Sequence, residues 1–427
     1  MSSSGLPDPE PAPSRRPDLA RVSFRIFPVN HETRLHLAAH PLAYPLLRAV
    51  ARLGPVVRVP GVGVVVSDAA TARVVLMDQA AFRKDGPGSP GDLWTPVLGP
   101  SVLLNMEGEA HTALRRKLAP LFTPDAVASL VSGVLAGPLA ALSTRLREGE
   151  TVDLADEMRL MAGAVICRVI GMGEVSAADA RALFADGERV VSMVSLRSRG
   201  LTPRQVAVAR RVLDRVGAIA AAAYETGDET TVMGRMRALG LSAAEARGAA
   251  GAFFLTGTET VASFVPRLAA LLHDTGTLRA APVPAEDPSP YARSGLDLDR
   301  LIEEALRYTT PTPVMLRSVA APSRVGRVAV RPGDRVVVAT LNCTRAYGPF
   351  RPDRRHPPEL RRLWFGAGPH FCIGYPLALA EIRAVTEVLL THDVEVVARG
   401  PARRVLLPAY RHLWIRRRAR TEEGHSR

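Results

Sequence analysis

One cysteine, Cys372, lies in a segment that could present its sulfur to a large flat ligand. Residues 365–374 read FGAGPHFCIG, and an amphipathic run over residues 376–390 follows directly. Glycine has no Cβ, so the backbone at these glycines can lie against a planar surface. A thiolate at the start of a helix is stabilised by the helix dipole and free N–H groups, which lower its pKa. The pattern predicts a thiolate that binds a metal in a planar cofactor.

The same residues resemble the F-G-x-G-x-H-x-C-x-G motif of the cytochrome P-450 superfamily of heme-thiolate monooxygenases, and every fixed position is occupied. Taken alone, they would also fit a glycine-rich turn beside a buried cysteine. The resemblance implies that Cys372 is the axial thiolate ligand of the iron in heme b. The other residues that it assigns to the cofactor from this segment are Phe365, Gly366, Gly368, His370 and Gly374.

An acid and a base, Glu304 and Arg307, are three residues apart on one face of a predicted helix. An exposed pair would contribute little to stability, whereas a buried pair needs further hydrogen bonds. The pair resembles the E-x-x-R motif of the family, which lies behind the heme and is joined by an upstream arginine. Arg354 is the matching arginine, although its usual aromatic follower is absent and N-C-T-R at 342–345 replaces the usual N-R-D-P.

A long helical pattern over residues 242–273 contains Gly257 and three threonines, which are poor helix residues. Such local departures are typical of functional sites, although close helix packing at Gly257 is an equal alternative. In the family, a widened helical turn here makes room for dioxygen. Glu259 and Thr260 resemble the acid and alcohol that relay protons during dioxygen activation. Thr256 stands where the family usually has alanine or glycine.

Heme carries two propionates, which need cationic or hydrogen-bonding partners. His111 and Arg115 share one helical face and match the H-x-x-x-R motif of the family's propionate-binding helix. Arg317 follows the E-x-x-R helix at a family-like spacing and begins a strand. His370, two residues before the cysteine, completes the predicted set.

Substrate contacts are expected from the 82–104 loop, the long helix and the segment after the E-x-x-R helix. All candidates are apolar and could equally belong to the core. They are Trp94, Leu98, Leu103, Val194, Phe253, Val314 and Met315.

The element pattern is mainly α with a minor β region, as expected of the triangular cytochrome P-450 fold. We expect a hairpin at 55–67, a helix at 69–77 capped by Asp68, and a long loop at 82–101. Helices are predicted at 111–118, 126–147, 156–170, 177–194, 203–224, 242–273 and 299–308. Strands are predicted at 314–319, 325–330 and 335–340, with a β-like end from residue 394.

The chain has 427 residues and 47% hydrophobic content, and no Pro/Gly/Ser linker divides its middle. We therefore expect one domain at 20–415, a disordered leader at 1–19 and a basic, polar tail at 416–427. No uninterrupted apolar run reaches the roughly 18 residues that span a membrane. Three well-separated cysteines fit a reducing, cytoplasmic compartment.

The formal net charge is +13, and it comes almost entirely from arginine, since Lys84 and Lys117 are the only lysines. This skew is typical of a GC-rich genome, and no nucleic-acid-binding motif accompanies it. The resemblance implies a bacterial-type monooxygenase of secondary metabolism that acts as a monomer on an apolar or amphipathic small molecule. No flavin- or nicotinamide-binding segment fits within the chain, so electrons would come from a separate ferredoxin or flavodoxin.

Two alternatives to this function stay open. One keeps the heme but performs oxidative aryl or phenol coupling or peroxide-driven oxygenation. The other is a non-catalytic heme-binding sensor. The acid–alcohol pair at Glu259 and Thr260 favours dioxygen use over both.

Overall fold

The computed structural model describes residues 30–194, 198, 200–277 and 297–418. The predicted leader and the end of the predicted tail lie outside the described residues. In chain order the helices are α1 (His31–Ala39), α2 (Ala43–Leu53), α3 (Ala69–Met77), α4 (Pro90–Leu98), α5 (Gly108–Leu118), α6 (Pro124–Arg147), α7 (Leu154–Val169), α8 (Ala177–Val191), α9 (Pro203–Thr226), α10 (Val232–Ala238), α11 (Ala243–Asp274), α12 (Leu298–Thr309), α13 (Thr340–Arg345) and α14 (Tyr375–Thr391).

The strands form three small sheets among these helices. They are β1 (Val56–Val59), β2 (Gly63–Val66), β3 (Phe82–Arg83), β4 (Val152–Asp153), β5 (Met315–Val319), β6 (Ser323–Val325), β7 (Val328–Val330), β8 (Arg335–Val338), β9 (Val394–Pro401) and β10 (Tyr410–Arg417). The largest sheet has the order β1-β2-β8-β5-β3, in which only β2 and β8 pair in parallel. A mainly helical fold with a minor β region is confirmed.

The central element is α11, which begins with a capping box formed by Ser242 and Glu245. It packs against α7, α8, α9, α12 and α14. The helix runs without interruption through Gly257 and Pro266, and Pro266 itself is buried. The widened turn that the resemblance implied stays a prediction.

The segment between α13 and α14 carries the cysteine and has little regular structure. Its path depends on left-handed backbone at Arg362, Gly366 and Gly368, with φ angles of 53°, 86° and 66°. At Gly368 an added Cβ would lie 2.9 Å from the Leu76 carbonyl oxygen at the end of α3. Glycine is thus required at Gly368 for both conformation and close approach.

Two expectations about elements were wrong. The predicted loop at 82–101 contains β3 and α4, because Ser89 and Pro90 start a helix among the glycines. The predicted strand at 325–330 is the hairpin of β6 and β7, which reverses at Gly326 with φ 56°. Helices α1, α2, α10 and α13 had no matching prediction, and α2 leaves Leu46 and Leu53 exposed.

One described helix, α6, is long and apolar enough by composition to cross a membrane, although the sequence contained no uninterrupted apolar run of that length. It buries one side in the core through Val127, Val131, Leu135 and Leu142. Core helices of soluble proteins also pass this compositional test, so α6 is weak evidence for a membrane span.

A buried ion pair joins α1 to α11. The Arg267 guanidinium, fully buried, donates to both carboxylate oxygens of Glu32 at 3.1 and 2.7 Å. Arg345 from α13 lies 3.7 Å from the same carboxylate and covers the Tyr308 ring at 3.8 Å. Because one buried acid faces two arginines here, removing it would leave uncompensated positive charge.

We expect Glu32→Gln to lower the free energy of unfolding by about 3–5 kcal/mol, because it leaves Arg267 buried without a counter-charge. Urea denaturation of the cofactor-loaded protein measures the change. Glu150→Gln, which breaks the exposed pair with Arg145, is the matched control and should cost less than about 1 kcal/mol. Equal effects of the two variants would contradict the structural role of the Glu32 cluster.

Candidate heme-thiolate site

The Cys372 sulfur lies in a loop closed by backbone hydrogen bonds. Cys372 N donates to the Phe365 carbonyl oxygen at 3.0 Å, which folds the glycine-rich segment back on itself. Phe365 also packs edge-on against the Tyr375 ring at the start of α14. Among the three cysteines, Cys372 is exposed whereas Cys167 and Cys343 are buried. The loop therefore holds one accessible sulfur at the start of a long helix.

The sequence predicts that the start of a helix lowers the pKa of the Cys372 thiol, and the structure agrees with this prediction only in part. Although the residue is exposed to solvent, many protein atoms surround its sulfur, and the resulting desolvation raises the pKa of the Cys372 thiol. The backbone amides of Gly374 and Tyr375 act to lower this pKa, as do the charges of Arg115 and Lys84. The expected helix-start effect is present, but desolvation exceeds it in the chain alone. A metal cation would add the positive charge that a thiolate needs, because a coordinating thiol loses its proton.

A group of cationic and imidazole side chains from three segments lies near Cys372. The His111 and His370 rings are 4.1 Å apart, and burial lowers the pKa of each imidazole to about 4. Arg317 on β5 is buried, and burial lowers the pKa of its guanidinium to about 10. Arg115 on α5 is half-buried. We call these four side chains the cradle; the structure brings all four predicted residues together.

The cradle has the chemistry that heme propionates require. His111 Nδ1 is buried and has no hydrogen-bond partner among the described residues. Arg317 Nη1 donates to a backbone acceptor, the Leu316 carbonyl oxygen at 2.8 Å, rather than to a carboxylate. Buried donors of this kind are costly unless an acceptor reaches them. Together with the accessible sulfur of Cys372, the cradle fits a planar iron cofactor that carries carboxylates.

Two residues that sequence reasoning missed also lie at the cradle. Glu107, whose side chain is fully buried, accepts a hydrogen bond from His370 Nε2 at 2.9 Å. Its other oxygen accepts the backbone N–H of Lys84. Burial and Arg317 lower the pKa of the Lys84 ammonium to about 7. No sequence signal indicated Glu107. The only unusual feature at Lys84 is that it is one of two lysines in an arginine-rich chain.

The Glu304 carboxylate accepts hydrogen bonds from its own helix and from residues 351–356. Arg307 donates to both of its oxygens at 2.7 Å, and Arg354 Nε donates at 3.1 Å. Arg351 N and His356 Nε2 complete the set at 2.9 Å each. These donors lower the pKa of Glu304 to about 2 against the opposing effect of burial. The structure brings the predicted residues Glu304, Arg307 and Arg354 together. It adds His356, which the sequence analysis did not predict.

The long helix places its polar residues in a regular series. Thr256 Oγ1 donates to the Ala252 carbonyl oxygen at 2.7 Å, and Thr260 Oγ1 lies 3.5 Å from the Thr256 carbonyl oxygen. At Gly257 an added Cβ would lie 2.9 Å from Ile166 Cδ1, so this glycine allows close packing of α11 on α7. Burial, and then the neighbouring charge of Glu188, raises the pKa of Glu259 to about 8.

Most of the predicted substrate contacts fall in one apolar cluster. Trp94, Leu98, Leu103 and Phe253 pack against the same core group, in which the Phe253 ring meets the Phe122 ring edge-on at 5.5 Å. Val194 is buried. Met315 packs against the main core, and its sulfur lies near the Cβ position of Gly366, whereas Val314 packs in a separate cluster. Their contact with a substrate stays a prediction.

Comparisons with known proteins agree with this geometry. The family model described as "Cytochrome P450" matches residues 298–402. Cytochrome P-450 monooxygenase DoxA of Streptomyces sp. strain C5 is 30% identical over 86% of this chain and 90% of its own length. Erythromycin C-12 hydroxylase of Saccharopolyspora erythraea is 24% identical over 75% of this chain and 79% of its own length. The solved structure of an EryK mutant with erythromycin B matches with a TM-score of 0.73 and 22% identity, covering 91% and 99% of the two chains.

We expect Cys372→Ser to abolish the red-shifted Soret band of the reduced carbon-monoxide complex, because serine cannot supply a thiolate. Cys167→Ser and Cys343→Ser are matched controls, since burial raises the pKa of both thiols to about 12 and neither is accessible. Both controls should keep the band. A Cys372→Ser spectrum like that of the wild type would refute the ligand assignment.

Proposed function

Because this chain belongs to the cytochrome P-450 family, a family of heme b enzymes, we propose that it inserts one oxygen atom from dioxygen into an apolar or amphipathic small molecule. It is a monooxygenase of the bacterial type. The observation that carries the proposal is that one exposed cysteine lies near the cradle, in which His111 and Arg317 are buried. We place this activity in the cytoplasm and in secondary metabolism, and the name of one relative, erythromycin C-12 hydroxylase, supports the second assignment.

Five side chains would hold the heme. Cys372 would ligate the iron, and the cradle residues His111, Arg115, Arg317 and His370 would bind the propionates. When bound, the heme supplies the redox chemistry with dioxygen. The buried Glu304 cluster would keep the segment before the cysteine in place.

Proton supply is assigned to α11. A carboxyl group with a pKa of about 8 is protonated at neutral pH and close enough to it to give up a proton, which suits general acid catalysis. Glu259 would hold the proton, and the Thr260 hydroxyl would pass it toward the reacting oxygen. This assignment also favours dioxygen over peroxide as oxidant, because a peroxide user has less need for a proton relay.

The substrate would be bound by apolar contact. The side chains of Trp94, Leu98, Leu103 and Phe253 offer aromatic and aliphatic surface with few polar atoms. Apolar walls with few polar groups are typical of small-molecule sites. The name of one relative described above, erythromycin C-12 hydroxylase, supports a secondary metabolite as the substrate class.

Electrons would come from a separate ferredoxin. We define the basic patch as Arg116, Arg351, Arg355, Arg361 and Arg362. Arg116, Arg355 and Arg361 are exposed, and a cleft of about 430 Å³ lined mainly by arginines opens at Arg355 and Arg361. Arg362 is already paired with Glu303 at 3.0 Å. An acidic partner would be attracted to such a surface, which raises its association rate.

We expect Thr260→Val to keep the heme spectrum and substrate binding but to divert reducing equivalents to hydrogen peroxide. Valine preserves the shape of threonine and removes only the hydroxyl that would pass the proton. Product formed per NADPH consumed, measured with a reconstituted redox system, should fall severalfold.

Thr258→Val is the matched control for this experiment, because Thr258 is fully buried and its hydroxyl bonds the Phe254 carbonyl oxygen. It should leave the ratio of product to NADPH close to that of the wild type. An unchanged ratio in Thr260→Val would exclude this hydroxyl from proton delivery.

We expect Arg355→Glu with Arg361→Glu to slow electron transfer from an acidic ferredoxin at low salt, because the double change replaces two of the five positive charges of the basic patch with negative ones. The difference from wild type should shrink as the Debye length falls from about 10 Å at 0.1 M salt to about 3 Å at 1 M. Stopped-flow reduction measured against ionic strength checks this. Arg204→Glu with Arg211→Glu, an equal charge change on exposed positions of α9, should have no such effect. Equal rates for the two double variants at low salt would remove the patch as the docking site.

A further inference from the structure

The ion-pair cluster between α1 and α11 holds more positive than negative charge. We define the Glu32 cluster as Glu32, His36, Arg267 and Arg345. Arg267 is fully buried, and the Arg345 side chain is 13% exposed. In the described part of the chain, Glu32 is the only acid that pairs with either arginine. One carboxylate therefore faces two largely buried guanidinium groups, and one positive charge is left uncompensated.

Both arginines have buried N–H groups that no protein acceptor reaches. Arg267 Nε and Nη2 bind the Glu32 carboxylate, whereas Arg267 Nη1 has no hydrogen-bond partner among the described residues. The same holds for Nε and Nη2 of Arg345. Arg345 Nη2 lies 3.7 Å from Glu32 Oε2, which is longer than a hydrogen bond. Since arginine can only donate, each of these buried nitrogen atoms requires an acceptor.

His36 adds a third buried donor. The residue is 1% exposed, and its ring stacks on the Tyr44 ring with the centroids 5.1 Å apart. His36 Nε2 lies 3.5 Å from Arg267 Nη2, and because arginine donates, Nε2 is the accepting nitrogen. Burial, followed by the charges of Arg267 and Arg345, lowers the pKa of His36 well below its usual value, so the ring is neutral. Its hydrogen is therefore on Nδ1, which has no partner among the described residues.

We propose that the Glu32 cluster binds a small monovalent anion, chloride. The anion would accept hydrogen bonds from the N–H groups of Arg267, Arg345 and His36 that lack a protein acceptor. It would also neutralise the positive charge that Glu32 leaves uncompensated. A divalent phosphate or sulfate would exceed this charge, and the burial of Arg267 and His36 argues against a large hydrated ion. The site shares no residue with the heme site, so it does not depend on the proposed function.

The anion would join helices that are far apart in the chain. The residues of the cluster come from α1, α11 and α13. Arg345 stands where the family pattern N-R-D-P has its proline, so the second arginine of the cluster is a departure in this chain. The Arg345 guanidinium lies over the Tyr308 ring, 3.8 Å from its centroid, near the end of α12. This chain thus adds a fixed cation to an already buried ion pair.

The first experiment uses the wild-type, heme-loaded protein. Urea unfolding is measured in sodium chloride and in sodium gluconate at equal ionic strength, because gluconate is too large for a buried site and equal ionic strength keeps screening constant. The unfolding midpoint should rise with the logarithm of chloride concentration, as for a ligand that binds only the folded state. In crystals soaked with sodium bromide, an anomalous peak should appear in contact with Arg345 and with His36 Nδ1.

Variants then test which side chains hold the anion. Arg345→Met should abolish the difference between chloride and gluconate, whereas Arg211→Met, at an exposed position of α9, should keep it. His36→Phe keeps an aromatic ring beside Tyr44 and removes the Nδ1 hydrogen. It should weaken the apparent affinity for chloride on the order of tenfold, since a hydrogen bond to a charged ligand is lost.

Equal unfolding midpoints of the wild-type protein in chloride and gluconate would overturn the proposal, and this comparison decides even where a variant does not fold. A water molecule or a carboxylate of the chain at these N–H groups in the bromide-soaked crystal would overturn it as well. A bromide peak without any effect of chloride in solution would mean an adventitious ion only, which also refutes the site.

Discussion

The buried carboxylate of Glu304 is the constraint on which the site depends. A fully buried acid is tolerated only when its desolvation is offset by several well-placed donors. Arg307 supplies two of them from the same helix, and Arg351, Arg354 and His356 supply the others from the segment that leads to the cysteine. This segment has almost no regular structure, so the carboxylate replaces a helix or sheet as the means of fixing it. The Glu304 carboxylate therefore fixes residues 351–356 of the segment that leads to Cys372.

The cradle differs from the Glu304 cluster, because the protein does not supply a partner for every polar group in it. Arg317 and His111 are buried, yet the chain gives Arg317 a backbone oxygen and His111 Nδ1 no acceptor. Around Glu304 the protein satisfies every charge itself, whereas at the cradle it leaves donors for a ligand to satisfy. Such an arrangement stabilises the ligand-bound form more than the free one, so the stability of the fold should increase when the cofactor binds.

How much could be predicted from the sequence depended on whether a signal was local. The residues of the cysteine segment, Glu304 with Arg307, and the helix capped by Asp68 were predictable because their spacing carries the information. Helix α4 was not, because its glycines and prolines indicate a loop until packing against α9 and α11 is known. The sequence analysis also missed Glu107, Lys84 and His356. Each of these residues makes a hydrogen bond to a residue of another segment, between 23 and 263 positions away in the chain. The family resemblance supplied residue roles that periodicity alone left open.

The threonines of α11 show how backbone contacts separate residues that look equivalent in the sequence. Thr256 and Thr258 donate to carbonyl oxygens one turn back at 2.7 and 3.1 Å, so both hydroxyl protons are engaged. Thr260 is 3.5 Å from its corresponding carbonyl oxygen, at the limit of a hydrogen bond. Its hydroxyl is therefore the easiest of the three to turn toward another acceptor without losing a good bond. Glu259, the preceding residue, has a carboxyl group whose pKa burial raises to about 8, so the weakest backbone bond of the series belongs to the residue that follows a protonated acid in the chain.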